Sequence, residues 1–231
     1  MIILFCYNSF TMKNINNYIE HTVLKPDATI ADIEKMANDA IKYNFFGVCI
    51  NLNYIDLAKK LLKDSDTKIV TVVNFPLANN TIDVIQYQTQ KALELGADEV
   101  DTVLNISALK NKDYKKVTSD IKLTKEVCKN NNLKVILETD LLTKEEIEIA
   151  SKCAVEGGAD FVKTSTGFVK GGVGAKVEDV ALMYKTVSPF GLQVKASGGI
   201  KDYAKAKALI EAGAARLGTS SGTDIISGEE K

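Results

Sequence analysis

GADFVKTSTGF (residues 158–168) combines the features of one helix-to-strand unit. Glycine at its start is typical of a helix end, because glycine adopts the left-handed conformation without steric cost. Phe161 and Val162 then begin a short buried strand, and Gly167 marks a turn after it. Lys163 lies inside that strand, where an ammonium group loses hydration. The stretch predicts a strand of an α/β fold and raises the question of what Lys163 does.

The same pattern occurs twice more along the chain, as GADEVD from Gly96 and as GAARLG from Gly213. Five residues after the three glycines lie Asp101, Lys163 and Gly218. If the units are equivalent, these residues lie at equivalent heights in the sheet. The motif alone is common in loops between helices and strands. That alternative does not explain why charged residues lie inside the strands.

Short β-rich runs alternate with helical patterns almost to the end of the chain. The predicted strands are HTVL (21–24), FGVCI (46–50), KIVTVV (68–73), EVDTVL (99–104), LKVILE (133–138), FVKT (161–164), LQVKA (192–196) and AARLG (214–218). Apolar residues at helical spacing predict helices at 29–43, 53–63, 80–95, 111–130, 142–157, 176–187 and 201–212. This alternation indicates parallel βα units, and 231 residues suit a single (β/α)8 TIM barrel. A doubly wound open sheet is the alternative.

Composition and the ends of the chain set further expectations. We assign residues 13–231 to the barrel and 1–12 to an N-terminal extension outside its core. The apolar run MIILFCY is too short to span a bilayer and lacks the features of a signal peptide. A net charge of −1 gives no support for a nucleic-acid or membrane partner. The four scattered cysteines form no CxxC pair, and we expect a cytoplasmic protein.

Three charged residues inside predicted strands are the candidates for chemistry: Asp101, Lys163 and Lys195. Catalytic groups of (β/α)8 barrels lie at the C-terminal ends of strands. A buried ion pair is the alternative, but two lysines and one carboxylate leave one cation over, and this favours a function. A neighbouring cation and desolvation favour the neutral amine that attacks a carbonyl. His21 is the single histidine, so the sequence offers few residues for a catalytic zinc site or a Ser-His-Asp triad. Lysine and carboxylate residues for imine chemistry are more readily available.

Glycine-rich turns after the last predicted strands indicate a phosphate site. Turns of this kind next to a short helix bind phosphate in many barrels, through backbone N–H groups and the positive end of the helix. Tight βα turns without a ligand are the alternative. The candidate residues are Gly167, Gly198, Gly199, Gly218, Ser220 and Ser221.

Six motifs together resemble the deoxyribose-phosphate aldolase family over roughly residues 15 to 225. They are EHTVLKPDAT (20–29), NFPLA (74–78), ADEVDTVLN (97–105), ADFVKTSTGF (159–168), VKASGGI (194–200) and RLGTSSG (216–222). The resemblance implies a class I aldolase with a (β/α)8 fold. Its reaction is the reversible cleavage of 2-deoxy-D-ribose 5-phosphate to D-glyceraldehyde 3-phosphate and acetaldehyde. It also implies that no metal or other cofactor is used.

The resemblance assigns roles that composition could not decide. Lys163 corresponds to the lysine that forms the Schiff base. Asp101 and Lys195 correspond to the residues that donate and accept protons through water. Thr22 joins the glycines and serines as a substrate-binding residue. The expected partners are a small sugar phosphate and acetaldehyde, and a homodimer or a higher homo-oligomer is left open.

The sequence departs from the family pattern at several positions. Glu20 replaces an aspartate, and Asn74 and Ala78 replace glycines, so we expect a differently shaped loop there. The final residues lack the tyrosine that some members carry, and VKGGVG (169–174) is expected to be a mobile lid. Two other functions stay open: an aldolase for a different sugar phosphate, and a barrel that binds sugar phosphates without catalysis.

Overall fold

Eight parallel strands close into a barrel in the order β1 to β8, with β8 paired to β1. We describe residues 15–229 from a computed structural model; the predicted extension at residues 1–12 lies outside them. The strands are β1 (Ile19–Val23), β2 (Gly47–Ile50), β3 (Lys68–Val73), β4 (Glu99–Val103), β5 (Asn132–Ile136), β6 (Phe161–Lys163), β7 (Gln193–Ser197) and β8 (Ala214–Thr219). The predicted TIM barrel is confirmed, and the closure excludes the open doubly wound sheet. All eight predicted strands are present, with ends within two residues of those observed.

Helices on the outside of the barrel connect the strands. They are α1 (Ile30–Lys42), α2 (Ile55–Leu61), α3 (Ile82–Leu95), α4 (Ile106–Lys110), α5 (Tyr114–Cys128), α6 (Lys144–Glu156), α7 (Val177–Val187), α8 (Tyr203–Glu211) and α9 (Gly222–Glu229). No helix among residues 15–229 has the length and apolar character that crossing a membrane requires.

Local sequence explains where α6 begins and ends. Thr143 accepts the backbone N–H of Glu146, and the Glu146 carboxylate accepts the N–H of Thr143, which is a capping box. Gly158, two residues after the last helical residue, has the left-handed φ of +77° that was predicted for it. The chain then turns directly into β6, so the helix end fixes where the strand carrying Lys163 begins.

Helix α4 corrects the sequence prediction, which placed one helix at 111–130. The structure has α5 in that range and an additional helix, α4, before it, separated from α5 by a short turn. The Asn105 side chain accepts the N–H of Ala108 and starts α4. Five residues are too few to show helical periodicity, so the cap was the only signal in this part of the sequence.

Strand pairing places the charged side chains in the barrel interior. Lys163 of β6 lies in register with Lys195 of β7, and Asp101 of β4 lies in register with Lys134 of β5. Side chains alternate along each strand, so the neighbours of these residues point outward and pack against the helices. Val162 and Val194, for example, are fully buried in the main hydrophobic core. The core between sheet and helices thus holds the strands that aim the charged groups inward.

Candidate active site

A cavity of about 560 Å³ opens at the C-terminal ends of the strands. This is the end of the barrel at which (β/α)8 enzymes place their active sites. Lys163 lines the cavity, together with every residue that the sequence predicted for substrate and phosphate binding: Thr22, Gly167, Gly198, Gly199, Gly218, Ser220 and Ser221. The structure therefore brings the two predicted groups, the reactive lysine and the glycine-serine turns, into one space.

Lys163, Asp101 and Lys195 meet at a single oxygen atom. Asp101 Oδ2 accepts hydrogen bonds from Lys163 Nζ and from Lys195 Nζ, each at 2.7 Å. Lys163 is 3% exposed on the cavity side, whereas Asp101 and Lys195 are fully buried behind it. This arrangement gives the amine that lines the cavity a direct proton path to a second lysine through one carboxylate.

The charge balance of the cluster differs from the prediction, which left one cation over. Lys134 also lies inside the barrel, with Nζ 3.1 Å from Asp101 Oδ1 and in an ion pair with Glu99. Glu20 pairs with Lys195 and lies 3.5 Å from Lys134. The cluster thus holds three lysines and three carboxylates, so the expectation of a surplus cation was wrong.

The buried charges of this cluster stabilise one another. Burial alone would raise the pKa of Asp101, but the three neighbouring ammonium groups outweigh it and hold that pKa well below 3.8. Burial alone would lower the pKa of Lys195, but Asp101 and Glu20 outweigh it and raise that pKa above 10.5. The pKa of Lys134 is raised by the same balance of causes. Asp101 is therefore an anion, and Lys195 a cation, across the neutral pH range.

The end of the cavity that was predicted to bind phosphate is built from turns, and Lys201 follows one of them and also lines the cavity. Gly198 and Gly199 have φ values of +87° and +66°, which residues with a Cβ rarely adopt. Thr219 ties two turns together: its hydroxyl donates to Ile200 O at 2.7 Å and accepts the Ser221 N–H at 2.9 Å. Helix α9 begins directly after these turns, so its positive end faces the same region.

Two further predicted residues have structural reasons for their identity. A Cβ on Gly218 would lie 3.1 Å from Lys195 Cε, so glycine leaves room for the buried lysine. The Thr22 hydroxyl donates to the backbone oxygen of Glu20 at 2.9 Å, and Thr22 lines the cavity beside it. Asn74 and Ala78 both have positive φ, a conformation that glycine adopts more readily than residues with a Cβ.

One group of possible metal ligands lies in the cluster. Glu20, Cys49 and Asp101 offer atoms within 4.8 Å of one another. Two of these, the carboxylates, already accept hydrogen bonds from Lys195, and three ammonium groups surround the position. The carboxylate oxygens of this group are therefore already paired with ammonium groups.

Sequence reasoning missed Lys134 and Glu99 altogether and noted Glu20 only as a replacement. The signal that identified Lys163, a charge inside a short apolar strand, was also present for Lys134 in LKVILE. Glu20 lies one residue before the predicted first strand and is in fact its second residue. A predicted strand that began two residues earlier would have included Glu20. Its side chain lies on the same face of β1 as that of Thr22, because side chains alternate along a strand.

Comparison with known proteins gives consistent matches over the barrel. A family model described as DeoC/LacD family aldolase matches residues 15–228. The chain is 51% identical to a deoxyribose-phosphate aldolase of Brevibacillus brevis, over 93% of this chain and 96% of the relative. It is 50% identical to one of Streptococcus sanguinis, over 94% and 97%. A tetrameric deoxyribose phosphate aldolase structure from Aeropyrum pernix superimposes with a TM-score of 0.84 at 30% identity, covering 94% of this chain and 91% of that one.

Proposed function

This chain belongs to the DeoC/LacD family of aldolases, and we propose that it is a deoxyribose-phosphate aldolase acting through a lysine imine. The reaction is the reversible cleavage of 2-deoxy-D-ribose 5-phosphate to D-glyceraldehyde 3-phosphate and acetaldehyde. The observation that carries the proposal is Lys163 on the cavity wall, joined through Asp101 to Lys195. A lysine that substrate can reach, a carboxylate and a second lysine that can exchange protons with it are the groups that imine chemistry needs.

The first stage joins the substrate to Lys163. The Lys163 amine attacks the C1 aldehyde of the open-chain sugar, and the oxygen leaves as water after protonation. Asp101 Oδ2 lies within hydrogen-bond distance of both lysines, so a proton can move between Lys163 and Lys195 without crossing open solvent. The product is a cationic imine, which draws electrons from the bond between C2 and C3.

The second stage breaks the carbon–carbon bond. A base removes the proton from the C3 hydroxyl, and the electron pair of the C2–C3 bond moves to the imine to form an enamine. D-Glyceraldehyde 3-phosphate leaves with C3 as its aldehyde carbon. The enamine then takes a proton at C2, and water releases acetaldehyde and the free amine. We assign these proton transfers to Asp101 and Lys195 acting through water.

The phosphate is bound at the other side of the cavity in this proposal. Backbone N–H groups near Gly167, Gly198 and Gly199, the hydroxyls of Ser220 and Ser221, and the start of α9 provide donors. The phosphate is remote from the bond that breaks, but its binding energy orients the reacting carbons near Lys163.

Assembly, location and domain limits belong to the same proposal. We infer one barrel domain from about residue 13 onward, a homo-oligomeric state and a cytoplasmic location. The tetramer of the Aeropyrum pernix relative supports an oligomer, and the free buried thiols of Cys49, Cys128 and Cys153 suit a reducing compartment.

Borohydride trapping tests the chemistry. The protein is incubated with acetaldehyde and sodium borohydride, digested and mapped by mass spectrometry. We expect a reduced adduct of acetaldehyde on Lys163, in the FVKTSTGF segment. An adduct found on surface lysines such as Lys63 alone, or cleavage of deoxyribose 5-phosphate without any adduct, would contradict a mechanism through Lys163.

A further inference from the structure

The loop between β5 and α6 carries two enclosed carboxylates that the proposed chemistry does not use. Glu138 is 2% exposed, and the Asp140 side chain is 8% exposed. A carboxylate in such surroundings is costly unless hydrogen bonds compensate for its lost hydration. The partners of both side chains lie on one segment, residues 166–176, which borders the cavity.

Glu138 holds the beginning of this segment. Its carboxylate accepts the Thr166 hydroxyl and the Thr166 N–H, the latter at 3.1 Å. The backbone of Glu138 has φ +61° and ψ +61°, a left-handed conformation that costs free energy for a residue with a Cβ. Thr166 lies three residues after Lys163, so this contact fixes the chain as it leaves the reactive lysine.

Asp140 holds the end of the segment. Its Oδ2 accepts the Gly174 N–H at 2.8 Å, and its Oδ1 lies 3.6 Å from Lys176 Nζ. The segment beside Gly174 packs on the turn after β7. A Cβ on Gly174 would lie 2.3 Å from Gly198 backbone atoms, and one on Gly199 would lie 2.4 Å from Val173 O. The hydrogen bond from Gly174 to Asp140 thus holds the chain near Gly174 in contact with the Gly198–Gly199 turn, to which we assign phosphate binding.

We propose that Glu138 and Asp140 are positioning residues with separate tasks in the reaction. Glu138 keeps the Lys163 strand and the start of the segment in the geometry that imine formation needs. Asp140 keeps Gly198 and Gly199 in the geometry that binds the phosphate. Residues 166–176, which include the predicted lid, then act as a fixed connection between the Lys163 strand and the Gly198–Gly199 turn. The inference rests on the proposed function and adds a division of labour to it.

Two alanine variants separate the tasks. With Asp140→Ala we expect KM for deoxyribose 5-phosphate to rise about tenfold or more, because the phosphate loses preorganised donors. The kcat/KM for unphosphorylated 2-deoxyribose and the rate of acetaldehyde trapping should change less than about twofold. With Glu138→Ala we expect kcat on both sugars and the trapping rate to fall together, about tenfold.

Conservative variants and a matched control complete the test. Asp140→Asn and Glu138→Gln keep an oxygen acceptor, so each should recover most of the lost activity. Glu145→Ala removes an exposed carboxylate from the first turn of α6 and should leave all three measurements unchanged. If Asp140→Ala does not fold in a thermal melt, Asp140→Ser replaces it, because the shorter serine hydroxyl cannot reach Gly174.

The outcomes distinguish this inference from the proposed function. If wild-type protein neither traps acetaldehyde on Lys163 nor cleaves deoxyribose 5-phosphate, the proposed function fails. If wild type is active but Asp140→Ala lowers activity on both sugars by the same factor, or on neither, the division of labour is wrong. The same holds if Glu138→Ala changes KM for the phosphorylated sugar alone.

Discussion

Lys163 and Lys134 lie on neighbouring strands, are both buried, and both contact the carboxylate of Asp101. They differ in access and in the number of carboxylate partners. Lys163 lines the cavity and pairs with Asp101, whereas Lys134 is enclosed and lies close to Glu20, Glu99 and Asp101. Residue type therefore does not separate the proposed nucleophile, Lys163, from the enclosed cation, Lys134, in this barrel. Access to the cavity and the number of carboxylates that hold the ammonium do.

The substitution Lys163→Arg removes the proposed nucleophile and has the largest expected effect. Arginine keeps the positive charge near Asp101 but cannot form the imine. We expect cleavage of deoxyribose 5-phosphate to fall roughly a thousandfold or more, which is at least about 4 kcal/mol of transition-state stabilisation. Steady-state kinetics and borohydride trapping measure it. A variant that still formed a reducible adduct in the barrel would place the nucleophile on another lysine.

Lys195→Leu tests the second cation on Asp101 Oδ2. Loss of a proton-transfer group costs about 100-fold or more in rate. Removal of a cation beside the reactive amine should also move the pH at which adduct formation becomes fast to a higher value. The rate of trapping measured against pH checks both effects. An unchanged pH profile with reduced activity would limit Lys195 to proton transfer or binding.

Ser220→Asp tests the phosphate end without touching the lysines. An added carboxylate lies where the phosphate dianion is proposed to bind, and like charges repel strongly in a partly desolvated site. We expect activity on deoxyribose 5-phosphate to fall about 100-fold, and activity on 2-deoxyribose by less than about threefold. Equal losses on both sugars would show that phosphate binds elsewhere or that the barrel is disturbed. A thermal melt of the variant decides between those two.

The substitution Lys134→Met removes the enclosed ammonium group, which we interpret as a structural cation. The change leaves Glu99 and Glu20 with an uncompensated share of buried charge, and removing one partner of a buried ion pair costs about 3–5 kcal/mol. We expect that loss in the free energy of unfolding, measured by denaturant titration. Borohydride trapping at Lys163 should persist in the folded fraction. A variant as stable as wild type would show that the other lysines balance the three carboxylates.

The strand order, and the position of the candidate catalytic residues inside the barrel, could be predicted because each strand is a short apolar run and a charge inside one is conspicuous. Lys163, Lys195 and Asp101 satisfy that rule. Lys134, the central residue of β5, satisfies it as well and was missed although the signal was present. Glu99 is the first residue of β4, where charged residues usually face solvent, so the local pattern gave no reason to place it inside. Only closure of the barrel determines which strand beginnings point into its interior.

The bracing contacts of Glu138 and Asp140 were beyond sequence reasoning for a different reason. Their partners, Thr166 and Gly174, lie 28 and 34 residues away and on another loop. Loop-to-loop hydrogen bonds depend on how two irregular segments meet, and no periodic pattern records that. The left-handed conformation of Glu138 is equally invisible, because no glycine marks it.

The pH dependence of stability gives the smallest effect and the finest comparison between wild type and Lys134→Met. The folded-state pKa of Asp101 is depressed below 3.8, so its contribution to stability is present above that pH and is lost as pH falls through the folded-state value. The pKa of Lys195 is raised above 10.5, so its contribution is present below that pH and is lost as pH rises further.

Between pH 3.8 and pH 10.5, Asp101 and Lys195 do not make the free energy of unfolding change with pH. In that range the unfolding free energies of variant and wild type should differ by a constant amount. Removing Lys134 takes away one of the three cations that depress the pKa of Asp101, so that pKa should rise. As pH falls through this raised pKa, the folded variant takes up a proton that folded wild type does not, so the difference in unfolding free energy should shrink toward acid pH, with a slope of at most about 1.4 kcal/mol per pH unit for one proton. Burial also raises the pKa of Glu138, despite opposing hydrogen bonds from Thr166, but this shift is common to both proteins and cancels in the difference. Denaturant titrations from pH 3 to pH 8 measure the slope. A difference that stays constant down to pH 3 would mean that Lys163 and Lys195 alone hold Asp101 ionised, and that Lys134 serves Glu99 and Glu20 instead.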